Sequence, residues 1–124
     1  MCGIVGIYFK KKKLHNKLGK YLSGMLDNMS SRGPDSAGFA IYNNDTKKFY
    51  KYSLCINDKS IINEFEVEIK NKFKDLTIKS VSDHLVIQTL SSPKTVIPYI
   101  KKKYDNILIV GYGKSIEIFK QVGN

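Results

Sequence analysis

The chain has 124 residues, 42% of them hydrophobic, and a formal net charge of +10; this is the size of one domain with a small core, far more apolar than a disordered chain. The opening apolar run, Cys2 to Phe9, has no basic segment before it and is followed by Lys10 to Lys13, the reverse of a signal peptide's order, and no stretch approaches the roughly 18 apolar residues of a membrane span. Cys2 and Cys55 are too few for a disulfide framework or a zinc site, so a reducing, cytoplasmic setting is expected.

In chain order, residues 3 to 9 read as a short buried strand, apolar and rich in β-branched and aromatic members. Leu14, Leu18, Leu22, Met25 and Met29 recur at helical spacing, predicting one amphipathic helix over 14 to 30 that stops at Gly33-Pro34. Residues 38 to 43 and 48 to 54 read as the strands of a hairpin joined by Asn43-Asn44-Asp45-Thr46. Ile61, Phe65, Ile69, Phe73 and Leu76 mark a second helix, with Asp58 as its cap. A strand over 80 to 90, a helix after Pro93 and strands at 106 to 111 and 115 to 121 complete the pattern. Gly111-Tyr112-Gly113-Lys114 lacks the remaining glycine and the helix of a phosphate loop, and reads as a hairpin turn.

Two stretches carry chemistry. If Met1 is removed, Cys2 bears a thiol and an α-amine on one residue; an α-amine titrates near about 7.7 to 8, so nucleophile and general base come together without a histidine. Arg32 is the only arginine among the 21 basic residues, as expected where a planar fork of donors is needed, and Gly33-Pro34 makes it project from a defined corner. Asp35 and Ser36 suit turn hydrogen bonds. His15 lies at a basic helix start and His84 in an apolar strand; each reads as solvated or packed rather than as a partner to a cysteine. The lysines are spread from end to end, which argues against a nucleic-acid surface and fits an acidic partner better.

Together, Met1-Cys2-Gly3-Ile4-Val5-Gly6-Ile7 and Arg32-Gly33-Pro34-Asp35-Ser36-Ala37-Gly38 resemble the class II glutamine amidotransferases, which are N-terminal-nucleophile (Ntn) hydrolases. The proline of the second motif is similar to that of asparagine-synthetase and glutamate-synthase-type domains. The whole chain, including residues 17 to 26 and 117 to 123, most resembles stand-alone amidotransferase subunits of glutamate-synthase-like enzymes. The resemblance implies an α+β fold, a partial αββα sandwich with an additional α/β segment in the last third. Residues 1 to 78 would be the first part of the amidotransferase domain, and 79 to 124 an inserted βαββ segment leading to a second half. It implies that Cys2 attacks the glutamine side-chain amide while its α-amine relays the proton to ammonia. Arg32 and Gly33 would line the site beside it.

The resemblance is incomplete. The family's Asn-Gly pair, whose donors form the oxyanion hole, has no counterpart, and there is no second arginine to grip the glutamine carboxylate. Losing one oxyanion donor alone costs about 100- to 1000-fold in turnover, so the chain reads as the nucleophile half of a domain. Its expected partners are glutamine, a complementary second half or synthase subunit, or a second copy of itself, with no membrane. FMN and iron–sulfur clusters would belong to the partner synthase, and no cofactor or metal is expected in this chain. The alternative function is a catalytically incomplete half-domain acting as a binding or regulatory subunit.

Overall fold

A computed structural model describes residues 3–122. Strand β1 is Ser36–Tyr42, β2 Tyr50–Ile56, β3 Thr77–Val81, β4 His84–Thr89, β5 Ile107–Gly113 and β6 Ile116–Val122; helix α1 is Leu18–Asp27, α2 Ile62–Lys72 and α3 Pro93–Lys103. The fold is thus mixed α+β with two antiparallel sheets, one of four strands in the order β3-β4-β2-β5 and one pairing β1 with β6. The chain divides into two units, one formed by the residues up to Ala37 with Gln121 and Val122, the other by Gly38–Lys120. Among the described residues no helix is long and apolar enough to cross a membrane.

The larger unit is organised by β2, which is buried over almost its whole length. Its register against β4 sets Tyr52 opposite Ile87 and Leu54 opposite Leu85, and against β5 sets Ile56 opposite Ile107, so apolar side chains share one face. That face packs on Phe65, Ile69 and Phe73 from α2 and its end, and on Val96, Ile100 and Tyr104 from α3 and its end. Each fully buried side chain of this kind contributes roughly 1.5–3 kcal/mol. Phe65 meets Tyr104 edge-on, with ring centroids 5.0 Å apart. At the rim of the two helices Glu68 accepts hydrogen bonds from Lys103 Nζ and the hydroxyls of Tyr104 and Tyr99, which hold its carboxyl at about 2. Asp58 accepts from the Ser60 amide at 2.9 Å, but the turn it caps is the 3-10 turn Lys59–Ile61 rather than α2, whose N-cap Ile61 offers no side-chain cap; α3 opens at Pro93 as expected.

The opposite face of the four-stranded sheet is covered by β6. Ser53 Oγ accepts the Ile118 N–H at 2.8 Å, and Glu117 reaches Lys51 and Lys79. Phe119 is buried and stacks on Phe39 of β1, with centroids 5.0 Å apart. The two sheets approach closely at glycine: a Cβ on Gly111 would lie 2.4 Å from Ile118 Cδ1, and one on Gly113 2.7 Å from Ile116 Cγ2.

Several expectations are corrected. Residues 3 to 9 form no strand; exposure alternates, with Val5, Ile7 and Phe9 half-buried, but no described strand pairs with them, and periodicity alone supplies no hydrogen-bond partner. The helix over 14 to 30 breaks into a 3-10 turn at Lys12–Lys17, α1, and a 3-10 turn at Ser30–Arg32. Its basic start has no side-chain cap and no acidic first turn, while Asn28 and Ser30 side chains bond to carbonyls of the last turn. Gly33 sits at φ −146°, not in the left-handed region. The proposed hairpin of β1 with β2 does not form. Asn43 N–H donates to Ser115 O at 2.8 Å and Thr46 N–H to Lys114 O at 3.2 Å, so the turn residues carry the chain from one sheet to the other. The strand over 80 to 90 is instead the hairpin β3–β4, turned at Ser82 with φ 57°. Gly111–Lys114 is no hairpin either, since β5 and β6 lie in different sheets. Finally, α2 ends at Lys72, leaving Leu76 beyond it.

Candidate functional site

Cys2 lies outside the described residues; its neighbour Gly3 and the Arg32 corner do not. The corner is a succession of tight turns. Met29 N–H donates to Leu26 O at 2.9 Å, Arg32 N–H to Met29 O at 2.9 Å and Gly33 N–H to Ser30 O at 3.3 Å. Ser30 Oγ donates to Asp27 O at 2.8 Å and fastens the turn to the end of α1. Polar side chains bonding nearby carbonyls in this way favour turns over continued helix.

Gly3 packs directly on this corner. A Cβ at Gly3 would lie 2.0 Å from Met29 Cε and 3.6 Å from Arg32 Cβ. The two sequence motifs, far apart along the chain, therefore meet at residues 3 and 32. Arg32 is exposed and, among the described residues, makes no ion pair or side-chain hydrogen bond; its planar guanidinium fork is of the kind that receives a carboxylate or carbonyl. Gly33 is required neither by a positive φ nor by crowding: a Cβ there would find its nearest neighbour, Ser36 O, at 4.0 Å. Among the described residues the side chains of Asp35 and Ser36 form no turn hydrogen bond; the corner is held by Ser30 and the backbone.

A second cluster escaped the sequence reading. Ligand atoms of Cys55, Asp83 and His84 lie within 4.8 Å of one another, with Cys55 and His84 buried. His84 Nε2 accepts the Lys120 N–H at 3.1 Å, so it must carry the lone pair, and Nδ1 then bears the proton it shares with Asp83 Oδ1 at 2.7 Å. Both ring nitrogens are thereby committed. Burial pushes the Cys55 thiol up, and the Asp83 charge adds to the shift, so Cys55 is a protonated thiol rather than an activated nucleophile. As built, the cluster is a hydrogen-bonded tether between β4 and β6. His84 is packed, as expected; His15 is exposed at the helix start, its Nε2 3.3 Å from Phe9 O. Adjacent acid and imidazole at a strand start were the signal available in the sequence, but only the fold brings Lys120 to them.

The chain is 34% identical over 128 aligned residues to the glutamine amidotransferase-like protein GlxB of Rhizobium meliloti (strain 1021), spanning 99% of this chain and 42% of that protein. It is 33% identical over 135 aligned residues to a protein of Methanothermobacter thermautotrophicus (strain Delta H) provisionally named a glutamine amidotransferase, spanning 100% of this chain and 44% of that protein. The chain thus spans less than half the length of these curated relatives. No protein-family model matches it. No solved structure gives a significant match.

Proposed function

We propose that this chain is the nucleophile-bearing part of a class II glutamine amidotransferase that hydrolyses the glutamine side-chain amide and delivers ammonia to a synthase partner. The observation that carries the reading is the packing of Gly3 against the Met29–Arg32 corner, which sets the residue following Cys2 beside the lone arginine. Two relatives, one named glutamine amidotransferase-like and one provisionally named a glutamine amidotransferase, are matched over essentially the whole chain and support it. The helix, four-stranded sheet and two-stranded sheet layering of the larger unit is compatible with part of an Ntn sandwich.

In this mechanism the α-amine of Cys2 takes the thiol proton, and the thiolate sulfur forms a bond to the amide carbon of glutamine. The tetrahedral adduct expels ammonia, which leaves with the proton that the amine returns. Water, deprotonated by the same amine, then attacks the thioester; the carbon–sulfur bond breaks, giving glutamate and the thiol. Arg32 would hold the N-terminal residue through its guanidinium, and the backbone at Gly33 would pass close to the bound amide. The missing oxyanion donors and the carboxylate grip would come from the length of the relatives that this chain does not span.

The test is the intact mass of the purified chain before and after an electrophilic glutamine analogue, with Cys2→Ala as control. Loss of Met1 and one adduct that vanishes in the control support the reading. A processed Cys2 that takes no adduct means that this chain alone is at most half of the enzyme. The binding or regulatory half-domain, a reading suggested by the absence of an Asn-Gly pair, instead predicts that Cys2→Ser is without effect; retained Met1 overturns the nucleophile assignment.

A further inference from the structure

We propose that Met29 is a positioning residue for the N-terminal nucleophile, an inference that rests on the amidotransferase reading. Met29 falls on the apolar repeat of the helix in sequence, where the bland role is one more seam residue. The structure takes it out of that seam. It follows the end of α1 and stands as the N-cap of the Ser30–Arg32 turn.

From there Met29 holds both motifs at once. Its side chain fills the space over the Gly3 Cα: the Cβ of any larger residue would fall 2.0 Å from Met29 Cε and 3.6 Å from its Sδ. Such an approach to Cε is far inside van der Waals contact, so the methyl and a residue-3 side chain are mutually exclusive unless Met29 moves. Its carbonyl, meanwhile, accepts the Arg32 N–H at 2.9 Å, and its own N–H is tied to Leu26 O at 2.9 Å. The side chain therefore rests on residue 3 while the main chain is bonded to Arg32. A half-buried thioether with three rotatable bonds can fill such an irregular gap without imposing a branched shape on it. Gly3 is otherwise exposed, so the Met29 methyl is its contact with the corner; because Gly3 is covalently next to Cys2, and glycine is the most pliant of residues, losing that contact would loosen the backbone that leads to the nucleophile. The thiol and amine would then spend less time aimed at a common target.

The experiment uses the full chain and does not require turnover. Cys2 alkylation by iodoacetamide is followed by peptide-resolved mass spectrometry over about pH 6 to 9, with the free peptide Cys-Gly-Ile-Val as reference for an unconstrained N-terminal cysteine. The wild-type chain should depart from the peptide in rate and pH midpoint. Met29→Ala should move the profile toward the peptide by about threefold or more in rate, whereas Met29→Leu, which refills the space, should stay with wild type. Gly3→Ala should also disturb the profile, and Gly3→Ala/Met29→Ala should recover part of the loss because the new methyl enters the space that Met29 vacates. Should Met29→Ala fail to fold, Gly3→Ala and Met29→Leu carry the comparison. A wild-type departure from the peptide that survives Met29→Ala and Gly3→Ala unchanged overturns the role of Met29 and leaves the amidotransferase reading standing. A wild-type profile identical to the peptide's overturns the role of Met29 alone, and retained Met1 overturns both.

Discussion

Lys51 and Glu117 form a buried ion pair, ammonium to carboxylate 2.8 Å, that ties β2 of one sheet to β6 of the other. Lys79 adds a second cation at 3.1 Å, and Asn43 Nδ2 donates to the same carboxylate at 3.2 Å. Burial pushes the Glu117 carboxyl up, but the hydrogen bonds and charges of Lys51 and Lys79 outweigh it, leaving it below its ordinary range. A depressed carboxyl stabilises the fold fully above its unfolded value, about 4.3, and loses that contribution as pH falls toward the folded value beneath it. Glu117→Ala strands the Lys51 ammonium in the interface and should cost about 3–5 kcal/mol in denaturant melts at pH 7. The gap between variant and wild type should shrink as the medium is taken below about pH 4. An unchanged gap in acid would remove the ion pair as its cause.

His84 and Lys120 give a second tie between the same sheets, and it fixes a tautomer. With Nε2 accepting the Lys120 N–H, nitrogen NMR of the neutral protein should show the proton on Nδ1. His84→Ala leaves the Lys120 amide and the Asp83 carboxylate without this partner and should cost about 1–3 kcal/mol. An Nε2–H tautomer would mean that β6 is not held in this way.

How far the sequence foretold this arrangement depended on the range of the interaction. The covering helices were legible because Phe65 and Ile69 repeat at helical spacing and bury the face they mark, and because Pro93 marks the start of the other helix, which buries Val96 and Ile100. The positions of β2, β5 and β6 were near, since the runs 48 to 54, 106 to 111 and 115 to 121 lie within a residue or two of them, whereas the run 80 to 90 hid the turn between β3 and β4. Partnership was not legible. The sequence placed β1 beside β2 because they are consecutive, but Glu117, a lone acid in an apolar strand, finds its cations on β2 and β3, and that pulls β6 across the sheet. In the site, Arg32 was found through its rarity and Gly33 through its motif. Met29 was hidden because it obeys the helical repeat that the fold then breaks.

Gly111 shows how tightly the two sheets are fitted. A methyl at this position would lie 2.4 Å from Ile118 Cδ1 and 3.3 Å from its Cγ1. Gly111→Ala should therefore lower stability by about 1–3 kcal/mol through overpacking. Ile118→Val removes the Cδ1 atom itself, so the double variant should recover most of the loss, with a coupling of about 1 kcal/mol in a thermodynamic cycle. Additive costs would show that the strain arises elsewhere.

Gly33 makes the sharpest contrast between fold and site. Its φ of −146° is open to other residues, and a Cβ would meet nothing closer than Ser36 O at 4.0 Å. Gly33→Ala should thus leave stability within about 1 kcal/mol of wild type. On the amidotransferase reading the same methyl would project beside the amide that Cys2 attacks, where a small displacement of the reacting atoms slows chemistry steeply. Labelling of Cys2 by an electrophilic glutamine analogue should then fall about tenfold or more while iodoacetamide, too small to need the pocket, reacts as before. If Gly33→Ala labels at the wild-type rate with both reagents, Gly33 does not line the glutamine site. If instead it melts well below wild type, the glycine serves the fold and its place in the motif needs no catalytic explanation.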